Sequence, residues 1–599
     1  MLAGCCLLVL LAIGELAGGA HAKTTVQPLE LTRGWSYLAD PGDVGLRRHW
    51  QLRPGLRWAP VRIPNDFNPI VSNTSYAGTV GWYRLTFRAP PRGSWDVTFQ
   101  EVRRNATAWL NGTLIGTNDT DSYTPFSLPL TGMRPGATNT LVVRVDNFIS
   151  RSSFPQDWWN WGGIVQPVSL TPVGRIELSG LGTMGELSCN YRCGDLLVQA
   201  TAQNTTSGTL RPTIRVTVTA PNGATTTLTH RLAPIKPGAG QPISFRVPVK
   251  GSPDLWSPSH PALYEATVAV RVAGATVDSH TLRTGLRTVA VNHGILYLNG
   301  KRLWLHGAAI QEDIEGDGAA LTDADIARIV SELKAVGANI TRAHYLLSQR
   351  MLDALDAAGI LVWEQPPVDH ADPLLATASG RARALGMLAS TVLGFRSHPS
   401  VIVDSVGNEL SPTPQSTPGT LNYLRRAIPL ARKLDPVAPV ALDIYCYPGY
   451  PPQQIYTKLD LLGISDYFGW YTGFPGHSIV DFSGLQPFLE QTHARYPNQA
   501  IVVSEYGAEG LYDGAATTKG TYEFQSDYLT ETLNLLGQLP FMNGSIYWTL
   551  REFAVNPGWT GGAVLPFDDP PSGIHHKGLI AYDGTLKPAF TVAQQLFAQ

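Results

Sequence analysis

The chain has 599 residues, 43% of them hydrophobic and 15% charged, with a net charge of −2. That length exceeds one ordinary core and sets a prior of roughly three to four domains, and the composition excludes long disorder. The near-neutral balance excludes a strong field recruiting nucleic acid or an anionic membrane.

The first 22 residues read as an export signal. The apolar run "CCLLVLLAIG" (5–14) leads to small residues ending in "AHA" (20–22). This A-x-A pattern predicts cleavage after Ala22 and a secreted or periplasmic protein. The usual basic start is missing, and the cysteine of "LAGC" (2–5) precedes the apolar run, the reverse of a lipoprotein box. No later run reaches the ~18 apolar residues of a membrane span. Of five cysteines, Cys189 and Cys193 could close a local disulfide in an exported protein, and Cys446 is expected in the core.

Residues 28–173 read as short strands with turn punctuation, among them "GWYRLTF" (81–87), "WDVTFQEV" (95–102) and "NTLVVRVDN" (139–147). Asn111-Gly112 supplies a hairpin turn. The pattern predicts a jelly-roll β-sandwich. Residues 174–288 are again β-rich, with "TIRVTVTAP" and "ATVAVRVAG", and suit an immunoglobulin-like β-sandwich.

From 289 to 599 strands and helices alternate. "TDADIARIVSELKAVG" (322–337) has apolar residues at helical spacing, an N-cap at Thr322 and a stop at Gly337. "SQRMLDALDAAG" (348–359) repeats this with Ser348 and Gly359. Eight short apolar runs begin at 303, 338, 360, 401, 439, 459, 500 and 544. Eight strand–helix units predict a (β/α)8 TIM barrel.

Such a barrel carries its active site at the C-terminal strand ends. The polar residues there are Gln311, Glu312, Arg342, His344, Glu364, Asn408, Glu409, Asp443, Asp466, Tyr467, Glu505 and Trp548. Glu409 and Glu505 close unusually apolar runs, "VIVDSVGNE" and "AIVVSEYG". Two carboxylates flanking a bond are what glycoside hydrolysis needs, one as proton donor and one ionised; their separation decides between retention and inversion. A solvated rim residue or an ion-pair partner is the plainer reading of either. No HExxH, Cys cluster, phosphate-cradling Gly loop or GxSxG is present, so no metal or cofactor is expected.

The three-domain order resembles glycoside hydrolase family 2 over nearly the whole mature chain. "AWLNGTLIGTNDTDSYTPFSLPLT" and "PDLWSPSHPALYEATVAV" resemble the family's first and second domains, "HPSVIVDSVGNEL" its acid/base motif and "VVSEYGAEG" its nucleophile motif. The resemblance implies a retaining exo-β-glycosidase with Glu409 as general acid/base, Glu505 as nucleophile and Asn408 on the sugar 2-hydroxyl. Several segments look most like the β-glucuronidase members. "DWWNWGGI" implies Asp157 on the sugar, "SDYFGWY" implies Tyr467 and Tyr471, "YWTLREF" implies Trp548, and "HHKGL" implies Lys577 on a uronate carboxylate.

This sequence departs from the family pattern in places. His575 stands where Asn is expected, "GAAIQED" puts Gln311 in a His position, and "AHYL" keeps His344 while losing the usual flanking residues. A β-galactosidase is the alternative, and a non-catalytic carbohydrate-binding protein on a degenerate barrel is the second. The expected partner is a carbohydrate or glycoside, with no nucleic acid and no membrane span; a homo-oligomer stays open.

Overall fold

The computed structural model describes residues 28–70, 73–150, 153–156, 158–557 and 573–598. The expected export signal (1–22) and Asp157 lie outside these residues.

In the first sandwich a six-stranded antiparallel sheet runs in the order Ala59–Val61, Trp35–Ala39, Val80–Arg88, Thr138–Asp146, Asn105–Leu110, Thr113–Asn118. It faces a four-stranded sheet of Leu29–Glu30, Val168–Val173, Ser94–Phe99 and Phe126–Pro129. Side chains alternate along Val80–Arg88. Tyr83, Leu85 and Phe87 join Leu141, Val143 and Val145 between the sheets, and Trp82 packs on the outer face. The Asn111-Gly112 hairpin holds both residues at positive φ, 50° and 86°, the backbone a two-residue I′ turn requires.

The second sandwich pairs a three-stranded sheet (Ile176–Ser188, Cys193–Asn204, Gly240–Pro248) with a four-stranded one (Thr225–Arg231, Pro212–Thr219, Tyr264–Val272, Ala275–Thr284). Alternating aliphatic residues of both, such as Val198, Val216 and Val268, form its core. The Cys189–Cys193 disulfide, with Cα atoms 5.4 Å apart, closes the turn between its first two strands.

Eight parallel strands then close a barrel. Strands 1 to 8 are Leu305–Ala308, Ile340–Arg342, Leu361–Glu364, Val401–Asn408, Val440–Tyr445, Leu461–Asp466, Ala500–Tyr506 and Met542–Tyr547. Strands 4, 6, 7 and 8 are buried along their whole length, as parallel strands covered on both faces must be. The first helix, Asp323–Ala335, starts in a reciprocal capping box between Thr322 and Asp325 and ends ahead of Gly337 at φ 82°. The second, Gln349–Ala358, starts with Ser348 accepting from the Met351 N–H and stops at Gly359 in the left-handed region.

One of the eight expected strand–helix units differs. Between strands 5 and 6 the chain makes only a 3-10 turn, Gln454–Lys458. Its connection carries Pro448, Pro451 and Pro452, which remove N–H donors and oppose an α-helix.

A small antiparallel sheet of Val289–Asn292, Ile295–Leu298 and Lys301–Arg302 seals the N-terminal end of the barrel. Its Leu296 and Leu298 pack with Leu305, Leu361, Val403 and Val502 of the interior. The Leu296 N–H donates to Asn543 Oδ1 on strand 8 at 2.8 Å. The barrel interior is therefore a filled core.

Candidate active site

At the opposite, C-terminal end a cavity of about 550 Å³ opens between the strand ends. His344, Asn408, Glu409, Tyr467, Tyr471, Glu505 and Trp548 line it, joined by Gln156 from the first sandwich. Two strand irregularities aim the carboxylates. Strand 4 slips register against strand 5 between Ser405 and Asn408, and strand 7 slips against strand 6 just before Glu505. Such bulges redirect side chains and recur beside active sites. Glu409 itself is left-handed, at φ 45°, a costly backbone for a non-glycine residue. Its N–H donates to the Asp443 carbonyl at 3.0 Å, which holds it there.

Glu505 is 6% exposed and surrounded by donors. Its Oε1 accepts from the Tyr467 hydroxyl at 2.6 Å. Its Oε2 accepts from Arg342 Nη1 at 2.8 Å and lies 3.3 Å from His344 Nε2. Burial opposes ionisation, yet the His344 hydrogen bond, the Arg342 charge and the Tyr467 hydroxyl outweigh it and hold this carboxyl well below the ordinary carboxylate range. Arg342 is wholly buried; its Nη2 donates to Asn408 Oδ1 at 2.7 Å and lies 3.6 Å from Asp443. Asp443 in turn accepts from the hydroxyls of Ser405 (2.6 Å) and Ser504 and from Trp363 Nε1 (3.2 Å). Only glycine fits at Gly463 beside it, because a Cβ there would stand 2.2 Å from the Asp443 carboxylate.

Glu409 behaves oppositely. Burial pushes its carboxyl up to about 7, with the Glu505 and Asp369 charges adding to the rise and His370 and Ser465 moderating it. His370 Nε2 lies 3.2 Å from Glu409 Oε2, and its Nδ1 lies 2.7 Å from the Tyr445 hydroxyl. The loop after strand 3 presents this ring by bridging to the end of strand 4, with the His370 N–H donating to the Asn408 carbonyl at 3.2 Å. The site thus holds one carboxyl ready to keep a proton near neutral pH beside one that stays ionised. Pushing two carboxyls apart in this way is the arrangement that divides acid from nucleophile.

Around this pair, Asn408 Nδ2 donates to Asp369 at 2.9 Å; an amide nitrogen carries a second hydrogen, and the residue lines the cavity. His344 stacks on Trp548 at 4.4 Å and meets Trp158 of the first sandwich at 5.7 Å. Trp548 Nε1 donates to His575 Nε2 at 3.2 Å. Burial, with the charges of Lys577, His576 and Lys587, pushes His575 well below its usual range, so it is a neutral acceptor where the family pattern has an amide.

Two residues expected at the sugar do not reach the cavity wall. Gln311 is 6% exposed, and neither of its amide atoms is hydrogen-bonded among the described residues. On that side the neighbouring Glu312 N–H donates to the Tyr345 hydroxyl, and Tyr345 packs against Tyr123 and Trp158 in an aromatic layer. Lys577 is fully buried; its Nζ donates to the Tyr471 hydroxyl at 2.7 Å and lies over the Tyr467, Trp470 and Tyr471 rings. It therefore stands behind Tyr471. The structure also brings in residues the sequence reading left out of the site: His370, Asp369, Tyr445 and Gln156. Arg342 and Asp443, noted as strand-end residues, hold the charge pattern beneath it. A charged residue inside a short apolar run, as in "NITRAHY" and "VALDIY", is the signal that marks those two.

The family model "Glycosyl hydrolases family 2, TIM barrel domain" matches residues 289–598, and "Glycosyl hydrolases family 2" matches residues 186–287. A β-glucuronidase of Paenibacillus borealis is 23% identical over 577 residues, covering 89% of this chain and 92% of that protein. The crystal structure of Bacteroides uniformis β-glucuronidase is similar with a TM-score of 0.81 at 24% identity, covering 95% of this chain and 69% of that one. A β-galacturonidase of Eisenbergiella tayi bound to galacturonate gives 0.80 at 22% identity, over 96% and 97%. The barrel model alone spans more than half of the chain, and the chain accordingly belongs to glycosyl hydrolase family 2 and is a glycoside hydrolase.

Proposed function

We propose that this glycoside hydrolase is a retaining exo-β-glucuronidase. Glu409 protonates the glycosidic oxygen while Glu505 attacks the anomeric carbon, forming a glycosyl ester and releasing the aglycone. Glu409, now ionised, takes a proton from water, which attacks the same carbon, breaks the ester and returns Glu505 as carboxylate. Asn408 holds the sugar 2-hydroxyl, and His344, Tyr467 and Trp548 orient the ring. The observation that carries the reading is the opposed protonation of two carboxyls on one cavity, Glu409 pushed up to about 7 and Glu505 held low.

The uronide preference draws on the β-glucuronidase and β-galacturonidase relatives and on the Lys577–Tyr471 contact. A phenol that accepts from an ammonium is a stronger donor. Tyr471 thereby carries the Lys577 charge to the cavity edge and meets the sugar carboxylate there. The Cys189–Cys193 disulfide supports an exported protein.

Purified chain assayed on aryl β-glucuronide, β-galacturonide and β-galactoside should show its highest kcat/KM on the glucuronide. A galactoside optimum would overturn the sugar assignment. Lys577→Met should lower kcat/KM for the glucuronide by about a hundredfold while changing the galactoside value only a few-fold, since losing a partner for a charged group is discriminating. Equal losses would remove Lys577 from specificity.

Glu409→Ala should spare substrates with good leaving groups and slow poor ones by roughly 10²–10⁴, the usual worth of a general acid. In the unaltered enzyme, activity on poor leaving groups should fall as pH rises through about 7, because the acid form of Glu409 is lost there. A rate that climbs across that range would contradict its role.

A further inference from the structure

The outer face of the six-stranded sheet in the first sandwich carries a second crevice, of about 270 Å³, which shares no residue with the active-site cavity. Arg84, Thr140 and Val142 of the sheet form its floor. The segment Trp50–Pro54 makes one wall; the Asn111-Gly112 turn and Arg134 make the other. The covering segment is fixed in place. The Asp40 carboxylate accepts from the N–H groups of Val44 and Gly45, each at 2.8 Å, and from Trp82 Nε1 at 3.0 Å. Trp82 stacks on Trp109 at 5.4 Å and supports Trp50 at 5.9 Å.

The charge of this region departs from that of the chain. Residues 46–62 carry Arg47, Arg48, Arg53, Arg57 and Arg62 and no acidic residue, in a protein with net charge −2. Arg53, Arg84 and Arg134 all line the crevice, and no carboxylate does. Among the described residues none of the three is in an ion pair, whereas Arg144 of the same sheet is paired with Asp43 and Asp146. Three arginines lining one concave wall raise the local potential and concentrate anions, with the Arg84 guanidinium 6.0 Å from the Trp58 ring beside the crevice. Guanidinium forks match the planar carboxylate and the sulfate group, and Trp50, half-buried against Trp82, lines the same crevice as an apolar surface.

We propose that this crevice is an accessory binding site for an acidic glycan, one bearing carboxylate or sulfate on its sugar rings, which keeps the polymer on the protein while the barrel works at its ends. A glycan fits better than a nucleic acid because the protein hydrolyses glycosides and the crevice has one ring, Trp50, where single-stranded nucleic acids require a succession of stacking platforms. The proposal does not depend on which sugar the barrel releases.

Affinity electrophoresis and calorimetry of the full chain with Glu505→Gln, as a non-hydrolysing background, test it. The probes are polygalacturonate, dextran sulfate, neutral dextran and oligothymidylate. Polygalacturonate, dextran sulfate or both should bind and neutral dextran should not, with affinity falling as salt is added. Binding of one acidic polymer alone identifies its anion as the one recognised. The exposed-site double variant Arg53→Gln/Arg134→Gln should weaken this binding about tenfold, and adding Arg84→Gln should weaken it further. In the wild-type background the double variant should leave kcat/KM on a small aryl glycoside unchanged. No binding of either acidic polymer, equal binding of neutral dextran, undiminished affinity in the variants, or tighter binding of oligothymidylate would overturn the assignment. A failure of the uronide reading would instead appear on the aryl substrates and leave these results standing.

Discussion

Glu505→Gln should reduce kcat/KM on the order of 10⁵-fold, the scale at which a nucleophile acting as part of a unit is lost. The amide keeps the shape and burial of the carboxylate but cannot form the glycosyl ester. The loss should be about equal for good and poor leaving groups, because both need the same attacking atom. This separates Glu505 from Glu409, whose removal is felt mainly by poor leaving groups. Steady-state rates on an aryl series check both at once; a Glu505→Gln enzyme with a tenth of normal activity would end the assignment. The same substitution bears on stability. Burial works against the Glu505 charge, but the His344, Arg342 and Tyr467 contacts prevail and hold its folded value below the unfolded one. Its stabilisation is therefore present above the unfolded value near 4.5 and is lost as pH falls through the folded value. The wild-type melting temperature should fall in acid more steeply than that of Glu505→Gln.

Arg342→Met should be the most damaging single change away from the two carboxyls. The guanidinium is wholly buried and touches Glu505, Asn408 and Asp443 together. Removing one partner of a buried ion pair leaves an uncompensated charge and costs about 3–5 kcal/mol. Urea denaturation at neutral pH should report a loss of that size. The kinetic signature is distinct: without the Arg342 charge the Glu505 carboxyl rises, so the acid limb of the kcat/KM profile moves to higher pH. Arg342→Lys should restore part of the stability but not the fork that spans Glu505 and Asn408. Unchanged stability with an unmoved acid limb would show that Asp443 and the surrounding donors hold the site unaided.

The sandwiches, the barrel and the helix boundaries were legible because each follows from local chemistry: side-chain alternation, Asn111-Gly112, and caps such as Thr322 and Ser348. Glu409 and Glu505 were legible as places, since carboxylates ending buried apolar strands demand partners. The supporting shell was harder to see. His370 comes from an irregular loop whose course depends on bridging to strand 4, and no spacing announces that bridge. Lys577 has a residue type suited to an anionic sugar, but whether it faces the cavity or backs Tyr471 is decided by packing among Tyr467, Trp470 and Tyr471. The missing helix after strand 5 was written in its prolines and was masked by the regular alternation around it.

The sheet sealing the N-terminal end of the barrel has a consequence for traffic. Leu296 and Leu298 and the filled interior above them make the reaction chamber a dead end. Among the described residues no passage runs along the barrel axis, so substrate, water and both products come and go by the C-terminal face that carries Glu409 and Glu505. In double displacement the aglycone leaves before water attacks the glycosyl ester, so the sugar is the last product released and the natural competitor for the next substrate.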